Sequence, residues 1–175
     1  MDTITGLPAH PLLVHLPVIA IPLAAVLVIL FAAVPGWRSV LAYLMTGMGA
    51  MVAVGVLLAA NSGEALQEKV DKSALVDTHV ALGDQLQTIG VIFGLSLVAL
   101  GLYSILSSRA IVPLGEQRSR QVLMALVAVT LVTGTFATVW DVRAGHSGAK
   151  AVWTEERGGQ NGDNASLPAY VIDAA

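Results

Sequence analysis

Apolar residues run through four stretches of the chain, Leu12–Val34, Val40–Ala60, Thr88–Leu106 and Val122–Trp140, and none of these contains Asp, Glu, Lys or Arg. At about 1.5 Å of rise per residue, each approaches or exceeds the roughly 30 Å of hydrocarbon in a bilayer. Lipid offers the backbone no hydrogen-bond partner, so only helices and closed barrels cross it, and unbroken rather than alternating apolar runs select helices. The pattern predicts an all-α integral membrane four-helix bundle with helices over about residues 11–34, 39–61, 78–107 and 121–143. The transmembrane domain is expected over 1–155 and a flexible polar tail over 156–175.

Composition agrees with that class. Hydrophobic residues make up 55% of the chain and charged residues 12%, too apolar and too sparsely charged for an ordinary water-soluble domain. Asp2 precedes the first run and no Lys or Arg does; with a core this long, the run reads as a retained helix rather than a secretory signal. With no cysteine, thiolate sites and disulfides are excluded. A net charge of -3 argues against nucleic-acid binding.

The connections differ in length. "PGWRS" is a tight turn, whereas the 27 residues from Asn61 to Gln87 keep helical spacing and read as amphipathic extensions of two helices beyond the bilayer. No repeat is visible beyond the shared apolar character of the helices. The two shorter linkers carry Arg38, Arg109, Arg118 and Arg120 close to helix ends, which favours that side as cytoplasmic. Both termini and the long connection are then expected outside, in a multi-pass protein of the bacterial inner membrane.

That outer side collects the chemistry. His10 and His15 open the first helix, His79 begins the third, His146 follows the fourth, and eleven of the twelve acidic residues share the side. Histidines from three helices can converge there to hold a haem or a divalent metal such as copper or zinc; they can equally be interfacial residues with one wet edge. His15 lies deepest in the apolar run, where an ionisable group points to function. A haem slot would be formed by His15 facing His79, with His10 and His146 as further ligands and Asp84 as an added metal donor or an orienting group. His10 and His15 are five residues apart, about 140° around a helix, so one ion takes both only if Pro11 and Pro17 distort the backbone.

Other features favour packing. Thr130, Gly134, Thr138, Asp141 and Gly145 form a small polar seam on the fourth helix, and Gly90 and Gly94 a small-xxx-small match on the third. The seam reads as a packing face or as a path for water and protons. Met45, Met48 and Met51 step along the second helix as packing residues or, less simply, as thioether donors. Trp37, Tyr103 and Trp140 fit an aromatic belt. No phosphate loop, nucleophile elbow, HExxH or dinucleotide fingerprint occurs, so no reaction is assigned.

Three separated stretches, "GLPAHPLLVHLPV", "VDTHVALGD" and "GHSGAKAVW", resemble in that order the motifs of a widespread bacterial family of four-helix predicted membrane proteins, domain of unknown function 2231. The resemblance covers roughly residues 4 to 155 and implies His10, His15, His79, Gly145, Ser147, Gly148, Lys150 and Trp153 as motif positions. The family brings no established activity; some relatives are joined to cytochrome c or iron-sulfur modules, which implies membrane or periplasmic redox partners and an electron-transfer setting. Lys150 and Trp153 fit a vestibule or an amphipathic return of the tail. Two functions follow: a membrane protein binding haem b or a divalent metal, or a cofactor-free structural or assembly protein acting through helix contacts. The bilayer is the certain partner and a homo-oligomer an expected one.

Overall fold

A computed structural model describes residues 3–4, 7–68, 70 and 72–165. Two short strands, β1 (Thr3–Ile4) and β2 (Leu7–Pro8), pair antiparallel ahead of the first helix. Five helical segments follow: α1 (Ala9–Leu13), α2 (His15–Ala33), α3 (Arg38–Gln67), α4 (Ala74–Ser108) and α5 (Glu116–Ala165). Together they provide four apolar spans, with α1 and α2 acting as one.

The first span is broken at Val14. Pro17 then falls in the first turn of α2, where an N–H has no helical partner to lose. A short 3-10 turn at Pro35–Trp37 joins α2 to α3. The helices run beyond the apolar stretches: α3 and α4 leave only 68–73 between them, so most of the long connection is helix, as its spacing predicts. Ser73 starts α4 by accepting a hydrogen bond from the Val76 amide (3.2 Å). Part of the expected tail is helical, since α5 continues to Ala165; residues 166–175 lie outside the described residues.

α2 and α4 each pack against both α3 and α5, which makes a four-sided bundle. Phe31, Phe93, Ile21, Met45, Leu97 and Leu100 fill its centre. The α3–α4 seam is the most extensive and is closed by glycine: a Cβ on Gly49 would meet the Gly94 carbonyl at 2.5 Å, and one on Gly94 would meet the Gly49 carbonyl at 2.6 Å. The small residues singled out on the third helix therefore serve contacts within the chain. Met45 packs in the core, while Met51 is exposed. Tyr103 donates to the Ser119 carbonyl and Trp140 to the exposed Gln85, whereas Trp37 is exposed.

Candidate functional site

The end of the bundle that carries the 68–73 connection, opposite the Pro35–Trp37 and 109–115 connections, holds the histidines. His10, on the one-turn helix α1, donates from Nδ1 to the Ala59 carbonyl of α3 (3.0 Å) and to Ser62 Oγ (3.2 Å). The Ser62 hydroxyl donates to the same carbonyl (2.8 Å). His79 on α4 repeats the arrangement on α5, with Nδ1 3.1 Å from the Ala144 carbonyl and 3.1 Å from Ser147 Oγ, while the Ser147 hydroxyl donates to Ala144 (2.8 Å). A carbonyl only accepts, so both rings donate from Nδ1, and in the neutral ring the lone pair is then on Nε2.

The two rings lie together, their centroids 6.3 Å apart and their planes inclined at 69°. Each rests on a glycine backbone: a Cβ on Gly63 would come within 3.1 Å of the His10 ring, and one on Gly148 within 2.9 Å of the His79 ring. Glycine is needed at both positions for the ring to approach this closely.

This duplication extends through the bundle and corrects the expectation of no repeat. His79 stands 69 residues after His10, and Ala144, Ser147 and Gly148 stand 85 residues after Ala59, Ser62 and Gly63. The same offsets carry buried Pro17, Ile21, Ala24, Val28 and Phe31 onto buried Leu86, Gly90, Phe93, Leu97 and Leu100. They carry buried Met45, Gly49, Val52, Val56 and Ala59 onto buried Thr130, Gly134, Ala137, Asp141 and Ala144. The chain is two helical hairpins, α1–α3 and α4–α5, with one histidine–serine pair in each.

The remaining candidates lie apart. His15 is exposed and donates from Nδ1 to the Pro11 carbonyl (2.6 Å), so the ring facing His79 is His10 and not His15. His146 is exposed and lines a groove of about 280 Å³ with Arg143, Ser147 and Lys150. Asp84 is exposed, and the Thr88 hydroxyl donates to its backbone carbonyl (3.3 Å). Among the described residues no three His, Cys, Asp or Glu side chains come together as a metal-binding group. Trp153 is exposed.

Ser62, Gly63 and the Ala59 carbonyl were not singled out from the sequence as site groups. The signal for them is the pair "AANSG" and "AGHSG" at 59–63 and 144–148, each late on the helix that follows a histidine-bearing one. Asp141, recognised only as part of a seam, is 5% exposed, and its Oδ1 has no hydrogen-bond partner.

No curated protein and no solved structure matches the chain. A family model does match, over residues 6–161, which takes in both histidine–serine pairs and all four spans. The chain belongs to the family of predicted membrane proteins designated DUF2231.

Proposed function

We propose that His10 and His79 would together hold one haem b, which would supply one-electron redox chemistry, in a small electron-transfer protein of the bacterial inner membrane with its termini and histidine end outside. The observation that carries this reading is the pairing of two imidazoles 6.3 Å apart, each tied through Nδ1 to a backbone carbonyl. An Nδ1–H held by a carbonyl fixes the tautomer and the ring angle, and it raises the basicity of Nε2 toward a metal. Two imidazoles on opposite sides of one ion, each at about 2 Å, have their centres about 6 Å apart. Two protein nitrogens suit a porphyrin, which supplies its own four in-plane donors, better than a bare divalent ion. The arginines near helix ends at the other side support the orientation.

A cofactor-free reading draws on the same bonds, because each histidine also ties one helix of its hairpin to the other. The two readings separate in one experiment. The protein is purified in mild detergent from haem-replete cells, and visible spectra are recorded oxidised and dithionite-reduced, with elemental analysis of the same sample. Haem binding predicts a Soret band with sharpened reduced bands that disappears in His10→Ala and His79→Ala and persists in His15→Ala. Stoichiometric copper or zinc without a Soret band replaces haem by a metal ion; a colourless, metal-free protein overturns cofactor binding and leaves the hairpin-closing role.

A further inference from the structure

The two interfaces between the hairpins are equivalent in the repeat, yet they are built differently. Gly49 against Gly94 closes the α3–α4 interface. The corresponding residues at the α2–α5 interface are Gly134 and Ala25, and both line an open, mostly apolar groove of about 230 Å³ with Val28, Ile29, Leu131 and Val139. The threonines Thr130 and Thr138 line it on the α5 side. Their hydroxyls donate to the Leu126 and Gly134 carbonyls of their own helix, and Thr130 also reaches the Ser96 carbonyl of α4 (3.3 Å). One turn beyond Thr138, toward the histidine end, stands Asp141, with 5% exposure and an unpartnered Oδ1. The first hairpin has Val56 at this position.

Among the described residues no cation answers this carboxyl. α2 contains no Asp, Glu, Lys or Arg. On α4, Asp77 and Asp84 are exposed, and His79 is held by Ala144. On α5, Arg143 is exposed and stacks on the Trp140 ring at 5.0 Å, and His146 is exposed. From α1 and α3, His10 is held by Ala59, and Glu64 is exposed. An unpaired carboxylate in this setting is strongly disfavoured, whereas a carboxylic acid is tolerated.

We propose that Asp141 is a proton-exchange site inside the membrane-spanning bundle: its buried, unpartnered carboxylate takes up one proton from the aqueous phase at the histidine end and returns it. The inference is independent of what the histidines bind, since Asp141 holds neither ring and the protonation involves no electron transfer.

The test is infrared difference spectroscopy of the full chain in lipid vesicles, titrated with pH in light and heavy water. The expected result is a carboxylic-acid carbonyl band that fades as pH rises, shifts down in heavy water and is missing in Asp141→Asn. Asp141→Glu, which keeps the acid, should restore a band at an altered frequency. Asp141→Val, which places at this position the side chain that the first hairpin carries at Val56, provides a folded reference if the Asn variant does not assemble. A band that persists at every pH and does not shift in heavy water would make Asp141 a permanently neutral packing residue; no Asp141 band at any pH would mean a permanent carboxylate. Either result overturns the proposal.

Discussion

The α3–α4 interface and the α2–α5 interface are two solutions to one packing problem. In the first, glycine brings backbone against backbone, so van der Waals contact is continuous. In the second, Ala25 and Gly134 line an open groove with Thr130 and Thr138, and Asp141 follows one turn on, where the first hairpin has Met45, Ala53 and Val56. Duplication preserved the histidine–serine pairs and the burial pattern, while one interface kept close packing and the other gained polar groups. The tight interface holds the hairpins together; the looser one is free to accommodate chemistry.

The largest expected effect comes from breaking the tight interface at a position that both interfaces share. Gly49→Ala drives a methyl into the Gly94 carbonyl across the hairpin interface, whereas the equivalent Gly134→Ala meets the Phe93 ring edge of α4 at 2.8 Å inside its own hairpin, a side chain able to turn. Overpacking against backbone should cost about 2–3 kcal/mol and overpacking against the ring about 1 kcal/mol. Reversible unfolding in mixed micelles measures both; equal losses would mean that the Gly49–Gly94 backbone approach is no tighter than the contact Gly134 makes with Phe93.

Asp141→Val makes the hairpins alike at their most divergent buried position. Removing a buried polar group without a partner should stabilise the fold by about 1–2 kcal/mol, read in the same unfolding assay. Destabilisation instead would mean that the carboxyl has a partner contributing to the fold.

The histidine–serine pairs allow a comparison at matched positions. Ser62→Ala and Ser147→Ala each remove one acceptor for a histidine Nδ1–H while leaving the carbonyl, so each should cost about 1 kcal/mol, and the two losses should agree within about 0.5 kcal/mol. A clear inequality, measured by unfolding in micelles, would show that only one hairpin depends on its pair.

How much of this was legible in the sequence follows from what each feature requires. The four spans were readable because the absence of charge over a membrane's thickness needs no partner to interpret. The extra turns of α3 and α4 lay outside the apolar runs, and their spacing already suggested helix. Which histidine faces His79 was not readable: depth in an apolar run says nothing about azimuth, and the five-residue step from His10 to His15 turns one ring inward and the other outward. The repeat was hidden because its halves share burial more than identity, with Ala24 matched by Phe93 and Val56 by Asp141. Only the two "A-x-x-S-G" stretches betray it, and each is meaningful once its histidine is seen lying on the glycine.

The smallest effects lie in the hairpin turns, where the sequence and the backbone are mismatched in opposite ways. In the second hairpin α4 ends with Ala110 at φ 55, and the Ala110 and Ile111 amides bond back to the Ser107 and Leu106 carbonyls at 3.1 Å each. This is the left-handed helix end at which glycine is preferred, and an alanine there carries about 1 kcal/mol of strain. In the first hairpin, Gly36 sits in the Pro35–Trp37 turn with open space where a Cβ would go and no left-handed backbone. Ala110→Gly should therefore stabilise the protein by about 0.5–1 kcal/mol through relief of strain. Gly36→Ala should stabilise it by about 0.4–1 kcal/mol through lost freedom in the unfolded chain. The two changes lie at separate turns, so the double variant should show their sum within about 0.5 kcal/mol; a thermal melt in detergent that shows a loss for Ala110→Gly would mean that the alanine methyl makes a contact worth more than its strain.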